Sequence, residues 1–208
     1  MKTVKFDDLL LIVGFSIICF NAYAQSPVPT PQPATQCACA CENNVVKNSS
    51  FQNGTNMDNL PNWKTSYGSP DYSTTVGCKD AGQIGLWGNK TVGEAFNQTL
   101  SPQIEKGKTY RLSFSMKSRQ VGNRPNYAQI KIRASNSALA TNATTAAVVG
   151  ITRKVTVSEG WVCITLPIWV ADKNYSILTV SVENEFSVND GEKTSAASID
   201  NICLTKMN

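Results

Sequence analysis

The sequence predicts an all-β protein built as a two-sheet antiparallel sandwich, and three observations point there. Gly107–Lys117, GKTYRLSFSMK, alternates strictly: Tyr110, Leu112, Phe114 and Met116 point one way, Arg111, Ser113, Ser115 and Lys117 the other. Strict period-two alternation marks a strand with one buried and one wet face. Ala128–Ala134, Val162–Val170 and Ile177–Val182 repeat the pattern. No stretch carries the periodicity of an amphipathic helix. Two layers sharing their apolar faces are the simplest object that uses all these strands.

A chain of 208 residues holds one ordinary domain plus extras, with enough side chains for a sizeable core. Charged residues are only 16% of it, while Ser, Thr and Asn are abundant, as in exported β-proteins. The net charge of +4 is scattered, without a basic block, and does not point to nucleic acid. Histidine is absent. That excludes Ser-His-Asp and Cys-His catalysis, His-ligated zinc and a histidine pH switch.

The chain opens as a secretory signal over residues 1–24: Lys2 and Lys5, an apolar run Leu9–Phe20, and the small-x-small site Ala22-Tyr23-Ala24. The run is too short to span a bilayer comfortably, and no later segment would cross one, so no membrane insertion is expected after signal removal. Ile18 before Cys19 is too bulky for a lipidation motif. Residues 25–36, QSPVPTPQPATQ, form a Pro-rich linker with nothing to bury.

Residues 37–43 are a Cys-rich segment leading into the domain at 44–208. Without Cys19, six cysteines remain: Cys37, Cys39, Cys41, Cys78, Cys163 and Cys203. An even count in an exported chain predicts disulfides. Three in the tail and three in the body suggest tail-to-body staples. Adjacent tail cysteines pairing between chains, and a thiolate metal cluster, are the alternatives. Sequence alone does not choose among the pairings.

Within the domain, Asn44–Gln52 reads as the first strand and Asn59–Tyr72 as an aromatic loop at one end of the sandwich. Cys78–Trp87 reads as short strands and turns, and Glu94–Leu100 as a strand leading through Ser101-Pro102 to the central strand. Ser118–Asn126 is a polar loop and Ser135–Ala147 a long one. Val148–Val157 is a further strand region. In Trp161–Val170 the expected inward residues are Val162, Ile164, Leu166, Ile168 and Val170, with Trp161 and Trp169 outward; Pro167 marks an edge or a bulge. Ala197–Leu204 is the last strand. Asn-x-Ser/Thr sequons stand at Asn48, Asn53, Asn89, Asn97, Asn142 and Asn174, surface glycan positions in a eukaryotic source.

The order NVVKNSSFQ, LPNWKTSYGSPDY, GQIGLWG, EAFNQTLSPQIEKGKTYRLSFSMKS and SIDNICL resembles the galactose-binding-like jelly rolls. These include the carbohydrate-binding modules attached to secreted glycoside hydrolases, and the likeness is greatest to versions in secreted proteins of Bacteroidetes. It covers about Asn44 to Leu204. It implies an antiparallel jelly roll whose first and last strands are neighbours, bringing Cys41 into the region of Cys203. Such domains often hold a structural calcium near those strands. Asp200 matches the acidic position, while Gln52 stands where a Glu is often found, and a neutral amide weakens a hard-cation site.

No enzyme constellation emerges. Asp71, Asp80 and Glu94 read as loop capping and solvated charge, and nothing matches a phosphate loop or nucleophile elbow. Sugar binding needs an aromatic face and hydrogen-bonding side chains. The candidate ligand-binding residues are Tyr67, Asp71, Tyr72, Trp87, Arg119, Asn126 and Tyr127 at the loop end, with Trp63 read as core. A second candidate surface is the wet face of Arg111, Ser113, Ser115, Lys117, Gln129, Lys131 and Arg133, with Trp161 and Trp169 nearby. The expectation is a secreted, non-catalytic module for an extracellular glycan or polysaccharide. The alternative is a structural or adhesive protein whose sandwiches assemble with other copies through the Cys/Pro-rich tail.

Overall fold

The computed structural model describes residues 39–74, 77–78, 82–89, 92–120, 127–141, 145–183 and 195–208. All of them belong to the compact unit Gln32–Asn208. The predicted signal and linker, Cys37, Asp80 and Asn126 lie outside the described residues.

Thirteen strands run in chain order: β1 (Lys64–Tyr67), β2 (Asp71–Ser73), β3 (Gln83–Gly88), β4 (Ala95–Ile104), β5 (Thr109–Ser118), β6 (Tyr127–Ala128), β7 (Ile130–Ser135), β8 (Ala147–Ile151), β9 (Val155–Thr156), β10 (Val162–Thr165), β11 (Trp169–Val170), β12 (Tyr175–Val182) and β13 (Ser195–Lys206). They form an antiparallel jelly-roll sandwich. The first sheet has the order β1-β4-β12-β7-β8 and the second β10-β5-β13-β3-β2, with β11 also on β5; β6 and β9 make a small ribbon. No α-helix occurs among the described residues.

The alternation read in Gly107–Lys117 is the alternation of β5. Tyr110, Leu112, Phe114 and Met116 are at most 1% exposed, facing Ile130, Ile132, Leu178 and Val180 of the other sheet within one core. Trp63, as expected, is core at 1% exposed. It meets Phe51 and Phe96 edge-on, with centroids 5.3 and 5.1 Å away, and its indole N–H donates to the Asn48 carbonyl at 2.9 Å. A buried ring of this size with its one polar atom satisfied contributes on the order of 3–5 kcal/mol.

Four expectations are corrected. Asn44–Gln52 is not a strand but a chain of bends joined to β13 by a single bridge, Asn44 to Thr205. Three of its amides are taken by side chains instead: Val46 N–H donates to Asn44 Oδ1 at 3.0 Å, Lys47 N–H to Gln98 Oε1 at 2.8 Å, and Gln52 N–H to Asn48 Oδ1 at 2.8 Å. Asn43, Asn48 and Asn53 adopt positive φ, which Asn tolerates better than most residues and which breaks an extended run. Asn59–Tyr72 is not wholly loop, since it contains β1 and the start of β2. Beyond Pro167 the expected register inverts. Ile164 and Leu166 are buried, but Ile168 and Val170 are 62% and 58% exposed, and Trp169 turns in against Tyr110 and Tyr175. Proline cannot donate to a ladder, so the strand breaks into β10 and β11 there and restarts with the other parity. Pro102 does not end its strand: β4 carries on to Ile104, past a register irregularity between Tyr175 and Ile177 of β12. Among the sequons, Asn97 is 5% exposed and offers no surface glycan position.

The tail is stapled to the body. Cys39 bonds Cys163 and Cys41 bonds Cys203; Cys78 is also disulfide-bonded. Cys39 and Cys41 are thus both paired within their own chain. The Cys41–Cys203 pair sits where the resemblance brings the two segments together. It lies beside the part of β13 beyond Ile199, the last residue that β3 covers, and there Val45 N–H donates to the Leu204 carbonyl at 2.9 Å.

Candidate functional site

The outer face of the second sheet carries a cleft of about 310 Å³ lined by Asp71, Ser73, Gln83, Gly85, Lys117, Arg119 and Ser198. Strand register explains this set. Across β5, β13, β3 and β2, Lys117 pairs Ser198, Ser198 pairs Gly85 and Gly85 pairs Asp71, so one polar row crosses four strands. The next row begins with Ser115 and Asp200 and ends with Gln83 and Ser73, which pair with each other. All these residues stand opposite in parity to the buried Ile84, Leu86, Met116 and Ile199, which is why they face outward.

Gly85 is the floor. A Cβ built there would sit 2.5 Å from Arg119 Nη1 and 3.4 Å from Asp71 Cβ. The absent side chain is therefore what lets the Arg119 guanidinium lie over the strand beside Asp71. Arg119, Lys117 and Asp71 are all exposed. Two residues beyond Gly85 on the same face stands Trp87, half-buried and paired with Ala196. Its backbone N–H donates to Glu94 Oε2 at 2.6 Å. Burial pushes the Glu94 carboxyl above its ordinary pKa; the Trp87 N–H opposes this, the Asp71 charge adds to it and Arg119 draws it back. Glu94 thereby anchors the strand that presents the indole and links it electrostatically to the cleft.

Of the expected binding residues, the structure brings Asp71, Trp87 and Arg119 together. Tyr72 is not among them. It follows Asp71 in a strand and so faces the opposite way, packing on the core with its hydroxyl donating to the Phe51 carbonyl at 2.7 Å. Tyr67 lies on β1 of the other sheet, where Arg133 Nη2 donates to its hydroxyl at 2.5 Å. Tyr127 lies on the β6–β9 ribbon under the Lys154 ammonium, 4.5 Å from the ring centroid. The second candidate surface is also not one surface. Arg111, Ser113, Ser115 and Lys117 belong to β5 and Lys131 and Arg133 to β7, in different sheets of the sandwich. Arg133 is 3% exposed, and Ser115 and Ser113 are buried.

Ser73, Gln83, Gly85 and Ser198 were not singled out from the sequence. One signal was available: GQIGLWG places a glycine on the outward parity between Ile84 and Leu86, a pattern that marks close approach over a strand.

The two residues of the calcium expectation, Asp200 and Gln52, differ in setting. Both Asp200 oxygens accept backbone amides, Oδ2 from Cys78 at 2.8 Å and Oδ1 from Asn201 at 2.7 Å, while Gln52 is exposed. No group of three or more His, Cys, Asp or Glu positioned for a metal ion occurs among the described residues. Asp200 instead ties the Cys78 loop to β13.

No family model matches the sequence, and no curated protein does. Solved structures do. The CBM22-1 xylan-binding domain of Xyn10C from Paenibacillus barcinonensis superposes with a TM-score of 0.54 at 15% identity, covering 81% of this chain and 97% of that one. The CBM22-2 xylan-binding domain of the same protein gives 0.54 at 13%, covering 76% and 98%. The CBM22-1-GH10 modules of the Clostridium thermocellum endo-1,4-beta-D-xylanase 10B, complexed with xylohexaose, give 0.53 at 14%, covering 79% and 29%. At such identities the likeness establishes the architecture: this chain has the jelly-roll sandwich fold of carbohydrate-binding modules.

Proposed function

We propose that this chain is a secreted, non-catalytic module that holds an extracellular polysaccharide against the outer face of its second sheet. The observation that carries the reading is Trp87, partly exposed on the same strand face as a polar cleft with a glycine floor. An indole offers a flat apolar face to the CH side of a pyranose, while Asp71, Gln83, Ser198 and Arg119 offer hydrogen bonds to its hydroxyls. The xylan-binding modules with this fold support the reading by analogy. The disulfides Cys39–Cys163 and Cys41–Cys203 and the signal-like amino terminus support export to an oxidising compartment.

The test is affinity electrophoresis and pull-down against a panel of plant, algal and microbial polysaccharides. Wild type is expected to be retarded by at least one of them. Trp87→Ala, which removes a partly exposed ring, is expected to lose about tenfold or more in affinity, comparable to an aromatic interface anchor, while circular dichroism still reports a folded domain. Binding to nothing in the panel, or undiminished binding by the variant, would refute the reading.

A further inference from the structure

Lys117 stands on the outward side of β5 and Arg119 directly follows the end of that strand; both line the cleft. Both are exposed, and no ion pair to either occurs among the described residues. Three other described cations do have one. Lys131 lies 2.6 Å from Glu183, Arg153 2.6 Å from Glu159 and Lys206 2.7 Å from Glu105. Asp71 shares the cleft but is not within ion-pair distance of either cation. Glu94 accepts the Trp87 amide and is not part of the cleft lining.

A glycan laid on this face would strip water from Lys117 and Arg119, two cations that share the cleft lining with a single carboxylate, Asp71. Neutral hydroxyls repay that desolvation poorly, whereas a carboxylate or sulfate repays it with charge-assisted hydrogen bonds, and the guanidinium fork suits either. A cleft lined by an excess of one sign also concentrates ligands of the other.

Resting on the glycan-binding reading, we propose that the cleft selects anionic polysaccharides, with Lys117 and Arg119 receiving the acidic group of the sugar while Trp87 stacks on a ring.

The experiment titrates the full mature chain with a uronate polymer (polygalacturonate or alginate), a sulfated polymer (carrageenan) and neutral xylan and β-glucan, at low and near-physiological salt. The expected result is tighter binding to an acidic polymer than to the neutral ones, weakening as salt rises. The uronate and sulfate arms identify the acid. Lys117→Gln is expected to lower acidic-polymer affinity about tenfold, the worth of one hydrogen bond to a charged group, and to flatten the salt dependence. Lys64→Gln, the same charge change on exposed β1 of the other sheet, is the control. Equal binding of neutral and acidic polymers without salt dependence would overturn the anionic selectivity and leave glycan binding standing. An equal loss in Lys64→Gln would overturn it too, by showing an effect of net charge alone. Absence of binding to every polymer would remove the reading on which it rests.

Discussion

Gly85→Ala separates the architecture of the cleft from the stability of the domain. The added methyl would lie 2.5 Å from Arg119 Nη1, the far end of a long exposed side chain, and 3.4 Å from Asp71 Cβ, an ordinary contact. Only the guanidinium must retreat. A rotamer change of Arg119 costs about 1 kcal/mol or less. Alanine returns about 0.4–1 kcal/mol by narrowing the unfolded ensemble at a position whose φ is not left-handed. The two offset, so the melting temperature should stay within about 2–4 °C of wild type. Binding should not. If the guanidinium over Gly85 contacts the ligand, displacing it removes an interaction worth about 1.5–3 kcal/mol, or about 10- to 100-fold in affinity. Differential scanning calorimetry and affinity electrophoresis on the same preparation read both quantities. Wild-type binding by Gly85→Ala would show that Arg119 does not reach the ligand from this position. A large drop in melting temperature would show that the floor is not free to accept a methyl group.

Gly82→Ala gives the opposite profile, because its Cβ would lie 2.5 Å from the carbonyl oxygens of both Ser50 and Phe51, which are backbone and cannot swing aside. A loss of about 1–3 kcal/mol is expected from urea unfolding, since Phe51 belongs to the buried aromatic cluster; an unchanged midpoint would contradict the close approach. For the staples, the double variant Cys41→Ser, Cys203→Ser should lose about 4 kcal/mol: with Cys39–Cys163 intact the released loop is about 40 residues in effect, and loop-closure entropy sets the scale. Chemical denaturation of the double variant checks this, and a loss below about 1 kcal/mol would mean that the tail is held by contacts other than the bond.

The strands were legible where one face is wet. In β5 and β7 each apolar residue that the alternation placed inward is buried. The same rule failed where the chain breaks its own period. At Pro167 the parity resets, so Ile168 and Val170 come out and Trp169 goes in, and no alternation count anticipates on which side a strand resumes. Asn44–Gln52 failed for another reason. Its apolar residues alternate only briefly, and its asparagines satisfy the backbone with side chains, which competes with ladder pairing.

The site was legible residue by residue but not as a set. Asp71, Trp87 and Arg119 are polar or aromatic residues next to turns, and sequence alone suffices to suspect each. Tyr67 and Tyr72 do not share their face. Neighbours along a strand cannot share a face, and β1 pairs into the other sheet. Lys117 was assigned instead to a face shared with Lys131 and Arg133, which belong to the other sheet.

The amino-acid sequence by itself determined the all-β class, the inward set of the central strands and the expectation of tail-to-body disulfides, because side-chain periodicity and cysteine count are read from the chain without its fold; the burial of Trp63 was implied by the family resemblance. Only the tertiary structure decided which outward residues share a face. Lys117, Ser198, Gly85 and Asp71 come from four segments far apart in sequence, and they form one row solely because β5, β13, β3 and β2 pair in that register. Pairing between distant strands is chosen by the packing of the whole core, and no single stretch of chain encodes it.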